Sequence, residues 1–133
     1  MSNAPQTGQT HVLHSTVEPA RTARALACDG EALPDVFATP FMIADMERAC
    51  AAILQPFLAD GDVSVGACID ISHTAPTPIG QSVKATATFT EKNGALYWFD
   101  VVAEDEAGRI GAGRIARAIV ARDALMSKAG ARG

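Results

Sequence analysis

Residues 37–60, FATPFMIADMERACAAILQPFLAD, decide how this chain folds. The stretch opens with Thr39 as a helix N-cap and Pro40 at the first helical position, so that a hydroxyl satisfies an orphan amide and a ring pre-sets φ. Pro56 disturbs the last turn, and Gly61 ends it. At 3.6 residues per turn, Met42, Met46, Cys50, Ile53, Leu54 and Phe57 share one face, with Asp45, Arg48, Ala52 and Gln55 opposite. Glu47 breaks the pattern, because it falls between Ile43, Cys50 and Leu54 in the apolar sector. A carboxylate there has to be paired, protonated or turned toward a cavity, since burying it alone is strongly unfavourable.

Beyond Gly61 the period changes from 3.6 to 2. In Val63–Thr74 (VSVGACIDISHT) strict alternation puts Val63, Val65, Ala67, Ile69, Ile71 and His73 on one strand face. Gly66, Cys68, Asp70, Ser72 and Thr74 take the other. His73 therefore continues an apolar face, and the prolines and glycine of APTPIG end the strand. Val83, Ala85, Ala87 and Phe89 alternate with Lys84, Thr86, Thr88 and Thr90 in the next strand. Asn93-Gly94 reads as a two-residue type I′ hairpin turn. Leu96–Glu104 follows with Tyr97, Phe99, Val101 and Ala103 inward, and after a turn at Gly108 a long strand runs from Arg109 to Arg122.

Upstream of the helix, His11–Val17 reads as a first strand with His11 and His14 on opposite faces. Residues 18–38 mix prolines, glycine and short apolar pieces, which reads as a partly helical flap of the length that often serves function. Residues 1–8 and the tail 123–133 read as loosely held.

At 133 residues the whole chain, 1–133, is expected to form one domain. Its 48% hydrophobic and 20% charged content is that of a globular protein. A net charge of −4 and the lack of any basic stripe argue against a nucleic-acid partner. No apolar run reaches the length of a membrane span, and the N-terminus lacks a hydrophobic signal core. Cys28, Cys50 and Cys68 are odd in number and lack metal-ligand spacing, and His11, His14 and His73 form no ligand cluster. The expectation is three reduced thiols in a cytoplasmic protein with no metal.

Strand, flap, one long helix and four antiparallel strands give an α+β chain with one apolar helix face and one apolar sheet face. The sheet buries both by curling around the helix, which is the hot-dog arrangement. One such layer leaves a sheet edge and apolar surface uncovered, so a homodimer is expected.

With that order in place, LPDVFATPFMIADMERAC (33–50), VGACIDISHTAPTPIG (65–80) and RIARAIV (114–120) resemble the fluoroacetyl-CoA thioesterase family of hot-dog proteins. The resemblance runs from about Leu33 to Val120. It implies a thioester hydrolase that takes a short-chain, fluoroacetyl-like acyl-CoA and uses no cofactor beyond its CoA thioester substrate. It implies Thr39, Glu47 and His73 as the catalytic group, with Gly66 and Arg117 near the acyl end and the pantetheine arm between protomers. Leu33 stands where members of the family carry an aromatic lid residue. That departure bears on which acyl group is preferred and leaves the implied thioester chemistry unchanged.

Each of these residues also has a structural role open to it. Thr39 caps a helix, Arg117 alternates with Ile115 and Ile119 and could pair with Glu47 or Asp70, and Gly66 could relieve crowding or form a bulge. His73 alone could be a satisfied core histidine. Glu47 and His73 together are two polar intruders on faces expected to pack on each other, which points to a site. His73 is then the general base, while Thr39 or Glu47 could carry an acyl group or His73 could activate water. Cys50, one turn from Glu47, has an apolar setting that does nothing to activate a thiol. The competing readings are a non-catalytic module that binds acyl-CoA or another small ligand, and an enoyl-CoA hydratase-type activity on the same fold.

Overall fold

The computed structural model describes residues 4–133. The chain runs β1 (Thr10–Thr16), two short 3-10 turns (Pro19–Arg21 and Arg24–Leu26), α1 (Thr39–Leu54) and a 3-10 turn (Gln55–Phe57). It continues through β2 (Asp62–His73), β3 (Ser82–Asn93), β4 (Leu96–Asp105), β5 (Gly108–Ala121) and α2 (Arg122–Arg132). The five strands form one antiparallel sheet in the order β1-β3-β4-β5-β2, leaving β1 and β2 at its edges. The sheet packs around α1, as the hot-dog expectation requires.

The core lies where the two periodicities meet. Met42, Met46, Cys50, Ile53 and Leu54 of α1 are buried against Val83, Ala85, Ala87 and Phe89 of β3 and Tyr97, Phe99, Val101 and Ala103 of β4. Removing a Met, Leu or Phe side chain from water in this way contributes about 1.5–3 kcal/mol each. The small Ala85, Ala87 and Ala103 let the helix approach the sheet. Gly111 does so even more closely, since a Cβ there would lie 2.7 Å from Met42 Sδ.

Several local expectations change. Ala38, not Thr39, is the N-cap, and no side chain caps the helix; Thr39 is its first residue and Pro40 its second. The Thr39 hydroxyl is thereby free for another partner. Asp45, assigned to the solvent face, is 2% exposed and holds Arg21 Nη2 at 2.6 Å and Ser15 Oγ at 2.7 Å. The hairpin loop is Gly94-Ala95, one residue late: Asn93 pairs with Leu96, and Gly94 alone has a left-handed φ of 61°. A turn with positive φ only at its first central residue is II′-like rather than I′. The tail is not shapeless, since residues 122–132 form an exposed helix whose first amide donates to the Gly61 carbonyl at 2.9 Å. Residues 1–3 of the expected loose segment lie outside the described residues, but within 4–8 the Gly8 amide donates to Phe89 O at 2.8 Å.

The most consequential change is in β2. Gly66 pairs with Arg117 and Cys68 with Ala116, so Ala67 is an extra residue, a β-bulge. A bulge reverses the parity of the alternation. Ser64 and Gly66 before it, and Ile69, Ile71 and His73 after it, all lie on the face toward α1, opposite Ile119, Arg117, Ile115, Gly113 and Gly111. Gly66 therefore shares a face with His73, contrary to simple alternation.

Candidate active site

At the N-terminal end of α1 the Thr39 hydroxyl lies 2.8 Å from Nδ1 of His73. The bond joins the first turn of the helix to the last residue of β2. It is possible because Thr39 has no capping duty and because Gly111, the residue opposite His73, leaves room for the helix to come down on the strand. His73 Nε2 is buried and has no hydrogen-bond partner in the protomer. Burial pushes the imidazole below its ordinary value of 6.5, with the main chain of Ala75 acting weakly the other way. A neutral imidazole beside a hydroxyl is equipped to take its proton.

The pair borders a cavity of about 460 Å³ under the flap, walled mainly by Leu26, Leu33, Val36, Phe37, Ala75 and Pro76. Leu33 thus belongs to the same cavity as Thr39 and His73. The flap consists of the two 3-10 turns and a loop closed by a bridge between Thr22 and Phe37.

Glu47 lies elsewhere. Its Oε1 accepts from Arg117 Nη1 at 3.1 Å, and their side chains are 28% and 11% exposed. Arg117 also donates through Nε and Nη2 to the Ser64 hydroxyl at 3.2 and 3.1 Å, and through Nη2 to the Ser64 carbonyl at 2.9 Å. With five N–H groups, it keeps one on Nη1 for another acceptor. Glu47, Ser64, Gly66, Cys68 and Arg117 line a second cavity of about 540 Å³. A Cβ on Gly66 would collide with the Glu47 carboxylate. Glu47 is thus both paired and turned toward a cavity, which resolves its place in the apolar sector of the helix.

The expected catalytic group is therefore divided within one protomer. Thr39 and Glu47 are eight residues apart on one helix, about 12 Å along its axis. His73 and Gly66 are separated by about 20 Å of strand. One end holds Thr39, His73 and Leu33, and the other holds Glu47, Gly66 and Arg117. Cys50 lies buried one turn beyond Glu47, at the second end, and its burial pushes the thiol up to about 12, which leaves it inert at neutral pH. Among the described residues, no group of three or more His, Cys, Asp or Glu could hold a metal ion.

Two polar partnerships escaped the sequence reading. Ser64, which orients Arg117, is 53 residues away from it and gives no local signal. The Asp45–Arg21 pair had one: Asp45 lies three or four residues from Met42 and Ala49, the spacing of a buried stripe.

Comparison with known proteins identifies the family and the fold. The family model described as fluoroacetyl-CoA-specific thioesterase (FlK) matches residues 17–123. A fluoroacetyl-CoA thioesterase of Streptantibioticus cattleyicolor is 34% identical over 123 residues, covering 90% of this chain and 88% of the relative. A solved structure of the thioesterase FlK superposes with a TM-score of 0.91 at 32% identity, covering 96% of this chain and 97% of that one. A structure of a mutant of that thioesterase in complex with fluoroacetate and CoA gives a TM-score of 0.84 at 35% identity over 90% of this chain and 98% of that one. A hot-dog-like protein from Thermanaerovibrio acidaminovorans gives 0.86 at 25% identity, covering 98% of this chain and 93% of that one.

Proposed function

The chain belongs to the fluoroacetyl-CoA-specific thioesterase (FlK) family, and from that membership we propose that it hydrolyses a short-chain acyl-CoA to the free acid and CoA. The observation that carries the proposal is the 2.8 Å contact between Thr39 and a neutral His73 at the wall of an apolar cavity.

The active unit in this proposal is a homodimer joined through β2. That strand is a sheet edge, residues 66–70 along its middle are exposed, and Ile69 is 46% exposed. An unpaired apolar edge favours strand addition. In an antiparallel self-pairing with its dyad at Asp70, Ile71 opposes the partner's Ile69, and His73 falls opposite the bulge at the partner's Gly66 and Ala67. The separated ends then meet: Thr39, His73 and Leu33 from one protomer face the partner's Glu47, Gly66 and Arg117. Two equivalent sites result, as two-fold symmetry demands. Unpartnered Nε2 of His73 supports this arrangement, since it points to a group supplied from outside the protomer.

The acyl chain lies in the apolar cavity under Leu33, with the thioester carbonyl beside Thr39. His73 takes a proton through Nδ1, either from Thr39 as its oxygen adds to the carbonyl carbon or from the reaction's water relayed by that hydroxyl. The C–S bond then breaks, the thiolate of CoA takes up a proton, and water supplies the new oxygen of the acid. In this arrangement amides near the partner's Gly66 and the remaining N–H of the partner's Arg117 stabilise the oxyanion. The partner's Glu47 orients His73 or the attacking water. Hydrolysis requires the CoA thioester and water and no cofactor. Three free thiols fit a reducing, cytoplasmic setting, and no helix among the described residues is long and apolar enough to cross a membrane.

The test is release of free CoA, followed with a thiol reagent, from acetyl-, fluoroacetyl-, propionyl- and longer acyl-CoAs, with His73→Ala alongside. Turnover lost in the variant supports the proposal. A folded dimer that binds these thioesters and releases no CoA overturns it in favour of a binding module. Rapid-quench mass spectrometry separates the two routes, since only one places an acyl group on Thr39.

A further inference from the structure

Asp45 is the one buried carboxylate among the described residues, and it faces away from both cavities. Its two oxygens are taken by different parts of the chain: Oδ2 by the Ser15 hydroxyl of β1 at 2.7 Å, and Oδ1 by Nη2 of Arg21 at 2.6 Å. Arg21 closes the first 3-10 turn of the flap. Its guanidinium lies over the rings of Phe37 and Phe41, 5.1 and 5.7 Å from their centroids. Its carbonyl accepts from the Ala38 amide at 3.0 Å, immediately before Thr39. One residue thus grips the start of α1 by main chain, stacking and charge together.

The flap grows from that grip. Thr22 bridges Phe37, the Ala23 amide donates to Val36 O at 2.8 Å, and the Arg24 amide donates to Pro34 O at 3.0 Å. Beyond this stem the flap carries Leu26 and Leu33, both walls of the cavity, and the two residues are 46% and 37% exposed. Such half-free side chains are positioned by the stem more than by their own packing. The other ion pair of the flap, Arg24 with Asp35, spans 3.3 Å between mostly exposed groups and contributes little. Arg21–Asp45 is therefore the main polar tie between flap and helix.

We propose that Arg21 is a positioning residue that sets acyl-chain selectivity: clamped to Asp45, it holds Leu26 and Leu33 at a fixed distance from Thr39 and limits the chain length the cavity accepts. This rests on the reading that the cavity takes the acyl group.

The test compares kcat/KM for octanoyl-CoA and propionyl-CoA in the wild type, Arg21→Met, Asp45→Asn and Arg21→Lys. The ratio of the two cancels any loss of folded enzyme. Releasing the clamp should raise the octanoyl-to-propionyl ratio about tenfold in Arg21→Met and Asp45→Asn. Arg21→Lys, which keeps the charge and loses the planar stacking, should fall between them and the wild type. In parallel, amide hydrogen exchange at Ala23 and Arg24 should accelerate while β3 and β4 stay protected. A ratio within about twofold of the wild type in variants whose flap exchanges faster would overturn the proposal, as would unchanged flap exchange. A wild type that releases CoA from no thioester defeats the hydrolase reading instead, and flap exchange alone then decides whether Arg21 is the clamp.

Discussion

The Thr39 hydroxyl is given to Nδ1 of His73, 2.8 Å away, rather than to the amides of its own helix. On the proposed mechanism, removing it should cost little stability and much chemistry. Thr39→Ala and His73→Ala should each lower kcat about a hundredfold or more, the usual range for a positioned proton-transfer group. Their melting temperatures should stay within a few degrees of wild type, checked by calorimetry beside the CoA-release assay.

Gly66 separates packing from catalysis in the second half of the site. A methyl group there would push on the Glu47 carboxylate, which is the far end of a flexible side chain and can swing away. Gly66→Ala should change stability by less than about 1 kcal/mol. It should lower kcat/KM by about tenfold or more, since a displaced carboxylate no longer meets the opposite half-site. Denaturant titration and steady-state kinetics read the two effects apart.

The pH dependence follows from the direction in which burial moves His73. Its proton affinity is below the ordinary value, so the neutral base persists below pH 6.5. Burial alone would place the acidic limb of kcat/KM below 6.5, while in the proposed dimer the partner's Glu47 carboxylate acts the other way, so Glu47→Gln should lower the proton affinity of His73 further. The same group links to stability: the unfolded chain protonates first, so stability falls as pH drops from 6.5 through the lowered folded-state value. An NMR titration of His73 between pH 4.5 and 9 in the wild type and Glu47→Gln checks this, and identical titrations would show that Glu47 does not reach His73.

The β2 edge gives a prediction for assembly. Ile69 is 46% exposed in the protomer and opposes the partner's Ile71 in the proposed pairing. Ile69→Lys places charge in that apolar contact while touching little of the protomer core. The variant should sediment as a folded monomer and lose most turnover together with its dimer. A monomeric variant with wild-type kcat would show that each protomer holds a complete site.

Much of this was legible in the sequence, and the failures share a physical origin. Alternation in Val83–Phe89 and Tyr97–Ala103 is a repeated local signal, and every inward assignment there is buried. The helix, its two methionines and the misfit of Glu47 were legible for the same reason. What was missed depends on groups distant in sequence. The bulge at Ala67 adds one residue with no mark in composition, and it alone turns Gly66 onto the face of His73. Asp45 looks like a solvent residue until Arg21, 24 positions earlier, is folded against it. Glu47 and His73 do both lie between helix and sheet, as their pattern violations suggested, but at opposite ends. One chain's periodicity carries no signal for the second copy that the proposed shared site requires.

The most direct measurement is CoA release by mixed dimers of His73→Ala and Glu47→Gln, each expected to be nearly inactive alone. If each site combines Thr39 and His73 of one protomer with the partner's Glu47, every heterodimer contains one site with all groups intact. Unfolding and refolding the two variants together at equal concentration should then restore about a quarter of wild-type activity, because half the dimers are mixed and one of their two sites works. Activity that stays at the level of the separate variants would contradict a site shared between protomers.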